Sequence, residues 1–269
     1  MARFGLCSAK GSPGVTTLCC LLAGSWPASR RCVLIEADRQ GGDLAAWFGL
    51  SPERGLAGFM AAVRQGTIPR KGGITGSVTP EQLQAEVAQL PGGIEAVAGF
   101  VASWPRDHEE LHDAYRACLE WFQEPGVDVL VDLGRLDPRD VGEATDDFDV
   151  IAVVTRLGVW DLAHCMDLLH KIQGRSFQGQ VLCVIPVGGS SEVIDELERI
   201  VPALVAEAVP IDEVAASVVS GKRQASRRLQ RSLLLNAGEH IADYLSALVQ
   251  EPEPETPRVQ EALVTGGDK

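Results

Sequence analysis

Short apolar runs alternate along most of the chain with stretches in which apolar side chains recur every three or four residues. The short runs predict strands and the longer periodic stretches predict helices. Strands are predicted at 3–8 (RFGLCS), 32–38 (CVLIEAD), 92–99 (GGIEAVAG), 127–134 (VDVLVDLG), 148–155 (FDVIAVVT) and 179–187 (GQVLCVIPV). A last short one is predicted at 204–210 (LVAEAVP). Helices are predicted at 15–25, 43–50, 55–66, 107–123, 158–172, 190–201, 212–221 and 227–249, with Ser190 or Ser191 capping the sixth. Apolar strands alternating with helices predict an α/β fold, a mostly parallel sheet flanked by helices on both faces. No internal repeat is found. A single domain is expected over 1–249, and the acidic, proline-rich stretch 250–269 is expected to be a disordered tail.

Composition narrows the setting. The chain has 269 residues, 45% of them hydrophobic, enough for a substantial core. Its net charge of −13 repels nucleic acid and anionic lipid, so any anion site must be local. The seven cysteines form no C-x-x-C, and most have apolar neighbours. That pattern suits buried, reduced thiols in a cytoplasmic protein. Neither a signal peptide nor an apolar run long enough to span a membrane is read, so no membrane span is expected.

Chemistry concentrates in the stretch "CSAKGSPGVTTL", residues 7–18, set between the first strand and the first helix. A glycine loop that opens a helix presents free N–H groups and the positive end of the helix dipole to an anion. The general phosphate-loop pattern G-x-x-x-x-G-K-[ST] fails here at Ala9 and Val15, while Thr16 stands where a Mg²⁺-ligating hydroxyl belongs. A charge-assisted hydrogen bond is worth roughly 1.5–3 kcal/mol, so a missing lysine costs about tenfold to a hundredfold in affinity. It also withdraws positive charge from the transferring phosphoryl group. Pro13 has no N–H to offer.

The same stretch resembles the deviant phosphate loop of the ParA/MinD ATPases, written K-G-G-x-G-K-[ST]-[ST]. Lys10-Gly11-Ser12-Pro13-Gly14-Val15-Thr16-Thr17 matches it, with Lys10 on the signature lysine and Val15 in place of the ordinary one. Glu36-Ala37-Asp38-Arg39-Gln40-Gly41 is similar to the family's D-x-D-P-Q-G, and "VLVD" ending in Asp132 is similar to its Walker B strand. The likeness extends over about 1–249 through "LPGGIEAVAG" and "EAVPIDEVAASVVSG". It implies a P-loop NTPase fold, ATP and Mg²⁺ as ligands, and a homodimer with nucleotide between the subunits. It implies cofactor contacts from Lys10, Gly11, Ser12, Gly14, Val15, Thr16 and Thr17. Asp38 then orients attacking water, Lys10 compensates for Val15, and Thr16 and Asp132 attend Mg²⁺, Asp132 through water. Slow hydrolysis at most is expected.

Two departures bear on function. The asparagine that reads adenine in relatives is missing from "CVIPVGGSS", and Asn236 in the last helix does not match it. The atypical loop is most similar to the CpaE/TadZ branch, which implies positioning of pilus or secretion machinery through a protein partner. A catalytically dead scaffold and a DNA-associated partition protein are the alternatives. The DNA reading rests on Lys222, Arg223, Arg227, Arg228 and Arg231, and is disfavoured by the acidic total. The acidic tail cannot form the membrane helix of MinD-like relatives. The region 55–66 is expected at a dimer interface or in the core. "HEELH" (108–112) matches the H-E-x-x-H zinc spacing without a third ligand, and an ordinary amphipathic helix explains it. Cysteines are not placed for an iron–sulfur relative.

Overall fold

The computed structural model describes residues 1–64, 80–101, 108–139, 141–142, 144–175, 180–225 and 231–249. Eight strands form one sheet: β1 (Ala2–Ser8), β2 (Arg31–Glu36), β3 (Ala88–Leu90), β4 (Ile94–Val97), β5 (Val127–Arg135), β6 (Val150–Arg156), β7 (Val181–Val187) and β8 (Leu204–Val205). Their order is β3-β4-β2-β5-β1-β6-β7-β8, parallel throughout except for the β3–β4 pair. This is the α/β fold expected, with helices on both faces.

Side-chain alternation along the central strands divides the core in two. Phe4 and Leu6 of β1, Leu34 of β2, Leu130 of β5 and Ala152 of β6 face one layer. Helices α1 (Val15–Gly24), α8 (Glu213–Val219) and α9 (Leu233–Ala247) cover that layer, and α2 (Leu44–Phe48) joins it at one end. Val33, Ile35, Val129, Val131, Ile151 and Val153 face the opposite layer. Helices α3 (Leu56–Arg64), α5 (His108–Trp121), α6 (Val159–Gln173) and α7 (Ser191–Ile200) cover it, and α4 (Pro80–Gln84) lies beside α3 in the chain's course. The strands buried on both faces are therefore the near-continuous Val/Ile/Leu runs seen in the sequence.

Several boundaries differ from those expected. The second strand ends at Glu36, not at residue 38, because the Asp38 side chain accepts the Gln40 amide at 2.7 Å and turns the chain. The predicted strand 204–210 shrinks to two residues plus a single bridge between Val187 and Val209. The last helix begins at Leu233, not residue 227, because Ser232 caps it by accepting the Leu234 amide. The short α4 and β3 were not anticipated. Residues 65–66, 107, 179, 227–230 and the tail 250–269 lie outside the described residues, so those parts of the expected elements do too.

Candidate functional site

β1, at the centre of the sheet, delivers the chain into the loop 9–14, and α1 leaves from it toward one face. Gly14 makes that turn possible. It holds φ +99° immediately before α1, a left-handed conformation that costs an L-residue energy, and a Cβ there would meet only open space. No side chain caps α1, and its first turn carries no acid. The N–H groups of Val15, Thr16 and Thr17 have no intrahelical acceptor by helix geometry and point into the loop. The loop thus presents amide donors and the positive dipole end at the carboxyl edge of a parallel sheet, where α/β folds bind ligands.

The loop's side chains divide into two sets. Lys10 and Ser12 are exposed and Thr16 and Thr17 half-buried. Lys10 forms no ion pair with any described residue. Val15 turns the other way: it is buried and belongs to the core layer under α1. A non-polar residue is therefore used here for packing, and position 15 offers the loop no cation.

β5 and the turn after β2 supply carboxylates. Asp132 of β5 is fully buried; its Oδ1 accepts the Gly134 amide at 2.8 Å, and its Oδ2 has no hydrogen-bond partner. Burial pushes this carboxyl up to about 6. The nearby Thr16 hydroxyl and the Gly134 amide favour its charged form, whereas Asp38 and Asp43 oppose it. Asp38 lies against Gly134, which sits at φ +59°; a Cβ on that residue would overlap the Asp38 carboxylate. The β2–β5 pairing, with Glu36 opposite Asp132, and the start of α1 thus bring Asp38, Asp132 and Thr16 together beside the glycine loop.

Glu36 completes the acidic cluster, and the sequence reading gave it no role. It is buried, and its Oε1 accepts the Asp43 amide at 2.6 Å and the Leu44 amide at 3.0 Å. Its Oε2 accepts the Gly99 amide at 2.8 Å. Burial raises its carboxyl to about 7, against the pull of these three amides and with the push of Asp132. Glu36 ties the turn after Asp38 to β4's exit and so fixes where Asp38 sits. An acid closing an otherwise apolar strand, "CVLIE", was the available signal.

An orphaned, buried carboxylate oxygen facing a hydroxyl fits a hydrated Mg²⁺ held jointly by protein and phosphates. No group of three or more His, Cys, Asp or Glu among the described residues is arranged to hold a metal by itself. His112 of the H-E-x-x-H stretch is buried, 3.8 Å from Asp147 and edge-on to Tyr115, so packing explains it. All seven cysteines are free thiols. Burial raises those of Cys7, Cys19, Cys20, Cys32, Cys118, Cys165 and Cys183, which keeps them unreactive.

Other expected groups fall elsewhere. Lys222 stands 5.2 Å over the Trp47 ring, and Arg223 and Arg231 line a cleft beside α8 with Ile211, Asp212 and Leu233. Arg227 and Arg228 lie outside the described residues. Asn236 is exposed on α9. No helix among the described residues is long and apolar enough to cross a membrane.

The fold compares closely with solved structures. A ParA family ATPase from Chlorobium tepidum superposes with a TM-score of 0.69 at 18% identity, over 90% of this chain and 99% of that one. The fold is that of the ParA/MinD ATPases. The septum site-determining protein MinD of Pyrococcus horikoshii, solved in complex with Mg-ADP, gives 0.62 at 15% identity, over 92% and 96%. In sequence, the chain is 31% identical over 144 residues to the maintenance of carboxysome distribution protein A of Gloeobacter kilaueensis. That match covers 51% of this chain and 64% of the relative, so the chain spans less than two thirds of it. No protein-family model matches the chain.

Proposed function

We propose that this chain is a nucleotide-dependent positioning factor of the ParA/MinD kind, which binds Mg·ATP, dimerises with it and recruits a partner protein. The observation that carries the reading is the pairing of an uncapped helix N-terminus at Gly14 with the unpartnered, buried Oδ2 of Asp132 beside Thr16. In this reading the amides of Gly11, Ser12, Gly14, Val15, Thr16 and Thr17 and the Lys10 ammonium hold phosphates. Mg²⁺ supplies charge neutralisation and orientation of those phosphates. Thr16 and a water on Asp132 hold the ion. Asp38, fixed over Gly134 by the Glu36 anchor, orients the attacking water. Hydrolysis is slow because no second lysine meets the developing charge.

The likeness to MinD bound to Mg-ADP and to a carboxysome distribution protein supports the class. Within it, we place the chain in the CpaE/TadZ branch, with a pilus or secretion component as partner and the cytoplasm as its setting, and with 1–249 as one domain. The burial of Val15 favours one second reading, a scaffold whose phosphate loop no longer binds nucleotide. The basic segment gives less support to a DNA-bound partition protein, since Lys222 is already engaged with Trp47.

Light scattering with and without Mg·ATP separates the two leading readings. A mass that doubles on nucleotide supports the switch. A mass that does not change supports the scaffold.

A further inference from the structure

On the sheet face opposite α5, α8 and the start of α9 border an open cleft of about 850 Å³. Its lining comes from two parts of the chain. Ile211, Val214 and Val218, spaced i, i+3 and i+7, run along α8 and its approach. Arg223, Arg231 and Leu233 come from the residues after α8 and from the first residue of α9. Ile211 is 74%, Val214 57% and Leu233 70% exposed. Three large apolar side chains thus stand in solvent around one cleft, and an exposed patch of this kind marks an interaction surface.

Charge selects the occupant. The chain as a whole carries −13, yet from Pro210 to Leu233 it holds five bases against two acids, Asp212 and Glu213. Neither Arg223 nor Arg231 forms an ion pair with a described residue. The Asp212 carboxylate lines the cleft too, but it is committed to the Ala215 amide and the Ser232 hydroxyl. Lys222 is turned onto the Trp47 ring. The cleft therefore offers two guanidinium groups and an apolar side. A nucleic-acid backbone would use the guanidinium groups and leave the apolar side uncovered, whereas a protein segment uses both. Successive side chains of an extended segment point to opposite sides, so alternating acidic and apolar residues meet the cationic and the apolar lining together.

We infer that the cleft between α8 and the start of α9 docks an extended, acidic segment of a partner protein, with carboxylates alternating with large apolar side chains. Its carboxylates pair with Arg223 and Arg231, and its apolar side chains cover Ile211, Val214 and Leu233. The inference deepens the positioning-factor reading, which needs a partner, by naming a surface and the chemistry it selects.

The probe is a fluorescent synthetic octapeptide of alternating glutamate and leucine, titrated into the full chain without nucleotide. A second octapeptide alternates lysine and leucine. The glutamate peptide is expected to bind about tenfold or more tightly than the lysine peptide. Arg223→Glu with Arg231→Glu is expected to reverse that preference, and Val214→Ser with Leu233→Ser to weaken the glutamate peptide by about fivefold or more. Unchanged melting curves verify that the variants fold, and Arg223→Gln with Arg231→Gln repeats the charge test by a milder change. Equal binding of the glutamate peptide to wild type and to either arginine variant overturns the inference, as does equal binding to Val214→Ser/Leu233→Ser. Glu251→Gln with Glu253→Gln and Glu255→Gln overturns it too if the peptide then binds tenfold more tightly, because the chain's own acids then fill the cleft. A smaller particle for Arg223→Glu/Arg231→Glu in light scattering assigns the cleft to a second copy of this chain and overturns it as well. Because no nucleotide is present, peptide binding without ATP binding removes only the nucleotide reading, and the reverse removes only the cleft.

Discussion

At position 15 the chain carries a valine that packs under α1 and cannot pair with a phosphate. The trade can be measured in both directions. Val15→Lys is expected to tighten Mg·ATP binding by about tenfold to a hundredfold, the worth of one charge-assisted bond. The same change gives up a buried valine, worth about 1.5–3 kcal/mol, so the free variant should melt several degrees lower. Calorimetry and a thermal scan check both; an unchanged affinity contradicts the role assigned to the loop. Gly134 offers a second test. Alanine there must hold φ +59° and displace the Asp38 carboxylate. Gly134→Ala and Asp38→Asn are each expected to cut phosphate release by up to about a hundredfold while leaving ATP affinity nearly unchanged. Parallel losses of affinity and rate would place Asp38 in binding instead. Lys10, Thr16, Asp38 and Asp132 were singled out by resemblance to the motifs of the ParA/MinD loop, and the fold sets Asp38 against Gly134, two residues beyond Asp132. Glu36 was not, since its partners Asp43, Leu44 and Gly99 are brought to it only by folding.

Helix starts show what local sequence can and cannot fix. Asp212 accepts the Ala215 amide to cap α8 and also accepts the Ser232 hydroxyl at 2.9 Å, while Ser232 caps α9. One relay of two side chains thus starts two helices. Ser232→Ala is expected to cost about 1 kcal/mol, or a fall of about 2–4 °C in melting temperature, and Asp212→Ala more than that. Equal, negligible effects would deny the relay. The Ser232 cap sets the start of α9 at Leu233, whereas residues 227–230 of the expected helix lie outside the described residues. The β3 strand escaped notice because three residues carry no periodicity, and it exists only as the antiparallel partner of β4. The long apolar strands, by contrast, were legible because burial on both faces leaves few polar positions in them, Asp128 and Asp132 of β5 among the exceptions.

For the molecule as a whole, the carboxyl edge of the sheet buries two carboxyl groups, Glu36 and Asp132. Glu36 and Asp132 are both held above their ordinary values, so the folded chain keeps protons that the unfolded chain releases. Their contribution to stability is therefore full in acid and is lost as pH rises from the ordinary carboxylate range through about 6 to 7. Between pH 5 and about 7.5 the free protein should melt at falling temperature, and Asp132→Asn should flatten that fall. A melting temperature that rises over this range in wild type and variant alike contradicts the assignment. Mg²⁺ and protons compete for the same carboxylate, so nucleotide binding should strengthen as pH rises through about 6. The order of apolar strands and helices made the architecture readable in advance, and the fold comparison agrees with it. The central claim is that the loop with Val15 still holds a nucleotide. Titration of the full chain with Mg·ATP in a calorimeter at pH 7.5, beside Lys10→Ala and Asp132→Asn, tests it most directly. The account predicts micromolar binding that each substitution weakens by about tenfold or more. No heat up to millimolar ATP, together with no shift in melting temperature, would contradict it and leave a scaffold with a relic loop.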